Sequence, residues 1–253
     1  MSKEDPKELE LLKYTPSSAL GSARYKLKDA AEDDTDYKRI LEVFKKYNIR
    51  YFFYNGGNDS MDTCNKVSKY LQSVGYDCNV IGVPKTIDND LYGTDHCPGY
   101  ASAAKYIATT IMECNLDAKV YNFGLVGIIE VMGRNAGWLA ASAELANYKG
   151  LGADLIYLPE MPFDVDKFVA DVAAVCERND NKCIAVVSEG LKTADGKYVG
   201  DFKAGANDLF GHATLGGLAG ILGGIIKERL NVKVRPIELS LMQRCGAHLA
   251  SKV

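Results

Sequence analysis

Strand-like runs and helical periodicities alternate along most of this chain, and that alternation limits the possible folds more than any other feature. Tyr37, Ile40, Leu41, Phe44 and Tyr47 recur at helical spacing, and residues 51–54 then read as a short buried strand. Met61, Cys64, Val67, Leu71 and Val74 predict the next helix, and residues 79–83 the next strand. Residues 125–131 read as a strand, 137–146 as a helix and 154–158 as a strand. Asp164 reads as an N-cap before Val165, Phe168, Val169, Val172 and Val175. An apolar strand, 184–187, follows and runs into Ser188-Glu189-Gly190. Residues 215–229 predict a helix whose glycines imply close packing of another backbone. Residues 192–207 are turn-rich and predict a surface hairpin or loop, and 236–242 is strand-like. The pattern predicts an α/β fold with mostly parallel sheets.

Open parallel sheets place their chemistry at the carboxyl ends of strands. At one such end stands Val83-Pro84-Lys85-Thr86-Ile87-Asp88-Asn89-Asp90. A structural turn needs only glycine, asparagine or one aspartate. Here a base candidate, Asp88, stands beside a hydroxyl, Thr86, and a phosphate-sized cation, Lys85. That combination suggests phosphoryl transfer to an alcohol, which needs a proton acceptor beside positive charge.

Four other strand ends carry candidates, each with an ordinary alternative. Gly56-Gly57-Asn58-Asp59-Ser60 opens a helix, where glycines admit a ligand and the helix N-terminus attracts phosphate; taken alone, a plain turn capped by Asp59 or Ser60 is the commoner reading, since glycine-rich strand-to-helix turns are common. Met132-Gly133-Arg134 offers an arginine fork for phosphate, or a surface arginine with Trp138 in the core. Glu189 could accept hydrogen bonds from sugar hydroxyls, or serve as a cap or ion-pair partner. Arg235 and Arg244 flank the 236–242 run and could clamp a phosphate, or be solvated surface charges.

Composition excludes several classes. Net charge is −3 over 253 residues, so the overall field does not favour nucleic acid or anionic membrane. No run approaches the ~20 apolar residues of a membrane span. The polar, acidic opening fits neither a secretory signal nor a transit peptide. Seven cysteines are scattered without a Cys-x-x-Cys pair, which predicts free thiols and a reducing, cytoplasmic setting. His96, His212 and His248 lack ligand spacing, so none is assigned to metal.

In order, Gly-Gly-Asn-Asp-Ser, Pro-Lys-Thr-Ile-Asp-Asn-Asp, Met-Gly-Arg-x-x-Gly-Trp, Ser-Glu-Gly and a late Gln-Arg resemble the 6-phosphofructokinase family from about Thr15 to the chain's end. The likeness is greatest to its pyrophosphate-dependent branch. It implies two Rossmann-like three-layer domains with mostly parallel sheets. One, over 1–99, would bind the donor phosphates and be rejoined by 243–253; the other, over 100–242, would bind fructose 6-phosphate. It implies reversible transfer from pyrophosphate to the C1 hydroxyl of fructose 6-phosphate in glycolysis or gluconeogenesis, with Mg²⁺, in a cytoplasmic homodimer or homotetramer. Asp88 resembles the proton acceptor, with Arg134 and Lys85 as catalytic cations. Thr86, Asp90, Met132, Gly133, Glu189, Arg235 and Arg244 resemble sugar-phosphate contacts. Arg24, Gly57, Asp59, Ser60 and Lys85 resemble donor-phosphate contacts.

Donor choice turns on Asp59 and Lys85, because ATP-using members tend to have glycine at both. A carboxylate at Asp59 would repel the α-phosphate of ATP, while Lys85 adds a cation for pyrophosphate. Two departures stand out. Asn58 replaces a metal-binding aspartate, leaving a neutral amide oxygen for Mg²⁺. Nothing before Thr15 supplies the family's opening glycine-rich loop, so the resemblance implies a chain truncated at both ends, short of its first strand. The alternatives are an ATP-dependent enzyme and a non-catalytic regulatory subunit or inactive fragment.

Overall fold

The computed structural model describes residues 4–15, 18–19, 21–200 and 217–246. Among these, six strands form two parallel sheets. The smaller pairs β1 (Tyr51–Gly56) with β2 (Asn79–Pro84), Phe53 opposite Ile81. The larger runs β4 (Leu155–Tyr157), β5 (Lys182–Ser188), β3 (Leu125–Val131), β6 (Lys233–Glu238), all parallel. Every strand that feeds a candidate loop points its carboxyl end the same way within its sheet.

The larger sheet is the middle of three layers. One face packs on α4 (Tyr100–Lys119) and the short α5 (Trp138–Ala141), burying Ile107, Ile111, Ile129, Val131 and Leu139. The other packs on α6 (Val165–Arg178) and α7 (Leu218–Leu230), burying Val126, Ile128, Phe168, Val187 and Leu222. β3 therefore has both faces covered, as a near-continuous apolar strand in a parallel sheet should. Asp164 caps α6, its carboxylate accepting the Lys167 N–H at 2.7 Å.

The smaller sheet differs from the expected buried strand. Phe52 and Val80 pack on α2 (Thr35–Lys46) and α3 (Asn58–Ser73) around Tyr37, Phe44, Val67 and Leu71. Strand geometry sends alternate residues the other way, so Tyr51 and Phe53 are 67% and 61% exposed.

Other departures have local causes. The 137–146 helix shortens to α5 and continues as a 3₁₀ turn, Ser142–Lys149; the Ser142 hydroxyl donates to the Leu139 carbonyl at 2.6 Å, closing the backbone early. The 236–242 strand begins at Lys233 and ends at Glu238, so Arg235 lies within it rather than flanking it. Pro236 is tolerated because β6 is an edge strand. Met242 instead opens the short α8 (Met242–Cys245). The glycines of α7 do not admit the expected backbone: only Gly223 has a close neighbour, and it is the Val234 side chain on β6, 3.3 Å from where a Cβ would stand. Residues 192–198 form the expected hairpin through a Lys192–Tyr198 bridge; 201–207 lie outside the described residues. All seven cysteines are free thiols.

Candidate active site

The loop after β2 crosses the carboxyl ends of the larger sheet. Ile87 packs against the α4-side core, and Thr86 bridges Gly99 at the start of α4. The turn is held from within. Asn89 is buried with φ +57°, a left-handed conformation that asparagine tolerates. Its amide donates to the Asp95 carbonyl at 3.1 Å and accepts the Cys97 N–H at 2.7 Å. Thr86 Oγ1 accepts the Asp88 N–H at 3.2 Å. Asp88 and Asp90 are thereby displayed on either side of a fixed residue. Sequence reading missed Asn89, although an asparagine between two aspartates is the residue expected to take the strained position.

Asp88 is where the expected residues meet. Burial raises its pKa first, and the Asp90 carboxylate raises it further; Arg134, Lys85 and Arg244 oppose both. One carboxyl oxygen each of Asp88 and Asp90, and Arg134 Nε, are buried without a hydrogen-bond partner. Buried polar atoms of that kind are uncommon and mark a site built for something else. Two carboxylates facing two arginines and a lysine can hold a phosphorylated alcohol and take its proton.

Glu189 follows β5 and joins this group. Its N–H donates to the Val131 carbonyl at 2.9 Å. Burial pushes its carboxyl up to about 7, Arg134 opposes that, and Asp88 and Glu130 add to it. Ser188 donates to the Gly133 carbonyl at 2.6 Å, locking the ends of β3 and β5 together. Gly190 is obligatory there, because a Cβ would stand 2.0 Å from the Arg134 carbonyl oxygen.

The raised Glu189 carboxyl has a consequence for stability. Between 4.5, its ordinary value, and about 7, the folded chain holds a proton that the unfolded chain releases. Stability conferred by that proton is complete below 4.5 and is lost as pH rises through 7, a change of up to about 3 kcal/mol. Thermal unfolding at pH 5 and pH 8 should show a fall that Glu189→Gln makes smaller, the remainder coming from the other raised carboxyls, Asp88 and Glu130; an equal fall in the variant would refute the assignment.

The donor side lies beside Asp88. Gly57 caps α3, so Asn58, Asp59 and Ser60 form its first turn. The Lys85 N–H donates to the Gly56 carbonyl at 2.9 Å, which sets Lys85 against that turn. Asp59 and Lys85 are both exposed at its edge. Ser60 instead turns back on Gly56, where a Cβ would collide with its hydroxyl. The Asn58 amide donates to Asp90 at 3.1 Å.

Three expected residues stand apart. Met132 packs its side chain against the α4-side core and gives its N–H to Gln243 at 3.2 Å. Arg235 is exposed on β6 opposite Gly127, well back from the strand ends. Arg24 lies in the exposed stretch before α2, outside both sheets. Trp138 is 53% exposed rather than in the core. Buried Gln243, beside Arg244, also donates to the Ser240 carbonyl at 3.0 Å, tying α8 to the end of β3.

For a divalent cation, no cluster of three or more carboxylate, imidazole or thiol groups exists among the described residues. The unpartnered Asp90 oxygen beside Asn58 nevertheless fits Mg²⁺, which commonly takes one or two protein oxygens and otherwise water and phosphate.

A family model described as phosphofructokinase matches residues 1–251. A pyrophosphate–fructose 6-phosphate 1-phosphotransferase of Xanthomonas campestris pv. campestris (strain B100) is 48% identical, covering 99% of this chain and 60% of its own length. One of the same name from Methylococcus capsulatus is 43% identical, covering 98% and 59%. The crystal structure of a pyrophosphate-dependent phosphofructokinase from Nitrosospira multiformis superposes with a TM-score of 0.83 at 40% identity, covering 99% of this chain and 58% of that one. The chain thus spans about 60% of the length of the curated relatives it matches.

Proposed function

The chain belongs to the phosphofructokinase family, and from that membership we propose that it transfers a phosphoryl group reversibly from pyrophosphate to the C1 hydroxyl of fructose 6-phosphate. The observation that carries this reading is the meeting of Asp88 with Asp90, Arg134, Lys85, Arg244 and Glu189 at the carboxyl ends of the strands.

Asp88 takes the C1 hydroxyl proton as the oxygen attacks. Its raised pKa suits that task, since a base near the working pH both accepts a proton readily and is available to do so. Arg134 and Lys85 stabilise the charge that spreads over the transferring group. Arg244 grips the sugar phosphate, and Glu189 holds the sugar hydroxyls. Asp90 and Asn58 would hold Mg²⁺, which when bound neutralises phosphate charge.

Arg24, Gly57, Asp59 and Ser60 remain the proposed donor-phosphate contacts; Thr86, Met132, Gly133 and Arg235 remain proposed sugar-phosphate contacts. Two domains, 1–99 with 243–253 and 100–242, belong to the same reading, as do a cytoplasmic setting, a homodimer or homotetramer, and a place in glycolysis or gluconeogenesis. No helix among the described residues is long and apolar enough to cross a membrane. A coupled assay should give fructose 1,6-bisphosphate with pyrophosphate; equal or faster turnover with ATP would overturn the donor assignment.

A further inference from the structure

Glu160 has no part in the proposed mechanism, yet it reaches the loop that carries Arg134. That loop, residues 132–137, leaves β3 and leads into α5. Outside helices and strands, no hydrogen bond between backbone groups involves residues 132–136 among the described residues. Side chains fix the loop instead. At its near end Gln243 accepts the Met132 N–H at 3.2 Å, and the Ser188 hydroxyl donates to the Gly133 carbonyl at 2.6 Å. At its far end Glu160 Oε1 accepts the Gly137 N–H at 2.7 Å. Between the two ends the chain arches back on itself. Gly133 has φ +116°, and a Cβ there would stand 2.5 Å from the Ala136 carbonyl oxygen. Arg134 rides on this arch, its Nε buried without a partner.

Glu160 reaches Gly137 because β4 ends in a tight turn, in which the Met161 N–H donates to the Leu158 carbonyl at 3.3 Å. Turn and arch approach so closely that only glycine fits at 137. A Cβ there would stand 2.5 Å from Glu160 Oε2 and 2.9 Å from Pro159 Cδ. The second glycine of Met-Gly-Arg-x-x-Gly-Trp thus has a physical reason, close approach of another segment. Without the carboxylate, the N–H of buried Gly137 would lose its partner. The helix that follows would keep its seat. Leu139 and Ala140 are buried in the core, and the Tyr100 hydroxyl donates to the Trp138 carbonyl at 3.2 Å.

We propose that Glu160 is a positioning residue for Arg134: it anchors the far end of the arch and so fixes where the guanidinium stands. The charge-stabilising role of Arg134 rests on the proposed function; the anchoring of the arch does not. Gln243 and Ser188 hold the near end independently, so Met132 and Gly133 should keep their places when Glu160 is lost. The loss should therefore fall on the step that uses Arg134 and spare sugar-phosphate binding. Misplacing a catalytic group by ~1 Å costs up to ~10²-fold in rate.

The test pairs steady-state kinetics with amide and guanidinium NMR of the full chain. Glu160→Ala should lower kcat by about 10-fold or more while the KM for fructose 6-phosphate stays within about two-fold. Its Gly137 amide should exchange with solvent faster, and its Arg134 Nε–H signal should move. Glu160→Gln keeps an acceptor oxygen at the same reach and should restore all three readouts. Should Glu160→Ala fail to fold, Glu160→Asp, one methylene too short for Gly137, takes its place. An Arg134 signal left unmoved would overturn the proposal, as would a Glu160→Gln variant no better than alanine. If the signal moves but kcat does not, the role given to Arg134 fails and the anchoring stands. A wild-type chain without turnover on either donor would refute the proposed function alone; an unmoved Arg134 signal would still overturn the anchoring.

Discussion

Asp88→Asn should cut phosphoryl transfer to fructose 6-phosphate by about 10²–10⁴-fold while changing sugar-phosphate affinity little. The expected split follows from what surrounds the carboxyl. Burial and Asp90 disfavour its charge, whereas Arg134, Lys85 and Arg244 favour it. An amide of the same shape keeps the turn, because Asn89 and Thr86 hold the backbone and neither depends on the Asp88 side chain. It also removes a like charge from beside Asp90, so the variant should unfold at the same temperature or slightly higher. Calorimetric binding, thermal unfolding and turnover on one preparation check all three. Loss of binding together with turnover would assign Asp88 a binding role instead. Unchanged turnover would return the chain to the non-catalytic alternative.

Asp59→Gly combined with Lys85→Gly should move donor preference from pyrophosphate towards ATP by about 10²-fold or more in the ratio of kcat/KM values. The two side chains come from different strand ends, but the Lys85–Gly56 backbone hydrogen bond brings their loops together. Asp59 sits in the first turn of α3, where a helix N-terminus otherwise attracts phosphate. Its carboxylate sets a like charge against a longer polyphosphate, and such juxtaposition costs several kcal/mol. Lys85 is the attractive half, a cation beside the donor turn. Asp59→Gly alone should relieve the repulsion of ATP, and Lys85→Gly alone should weaken pyrophosphate. Steady-state kinetics of both singles and the double resolve the halves. A double variant that still ignores ATP would show that donor choice is set elsewhere.

Much of this was legible in the residues, for a physical reason. Parallel strands covered on both faces are apolar runs, so β3 reads directly from 125–131, and Asp164 announces α6 by its capping chemistry. Site residues cluster in sequence at strand ends, which is why Asp88, Arg134 and Glu189 could be singled out before any contact was known. What failed depends on tertiary partners. α4, the longest helix described, escaped notice because much of its buried stripe is alanine, Ala103, Ala104 and Ala108, which carries little periodic signal. The exposed row of β1 reads as core because Tyr51 and Phe53 are as apolar as Phe52. Arg235 reads as flanking a strand because proline usually ends one, and only the edge position of β6 explains Pro236 within it. Glu130 was hidden in plain view, a carboxylate inside an apolar strand whose cap partner lies on α7.

The most direct measurement is donor-resolved turnover of this chain with fructose 6-phosphate and Mg²⁺, with pyrophosphate and ATP offered separately at equal concentration. Fructose 1,6-bisphosphate formed with pyrophosphate at least about 100-fold faster than with ATP is the expected result, on the several-kcal/mol like-charge penalty at Asp59. Faster turnover with ATP, or sugar-phosphate binding without turnover by either donor, would contradict it.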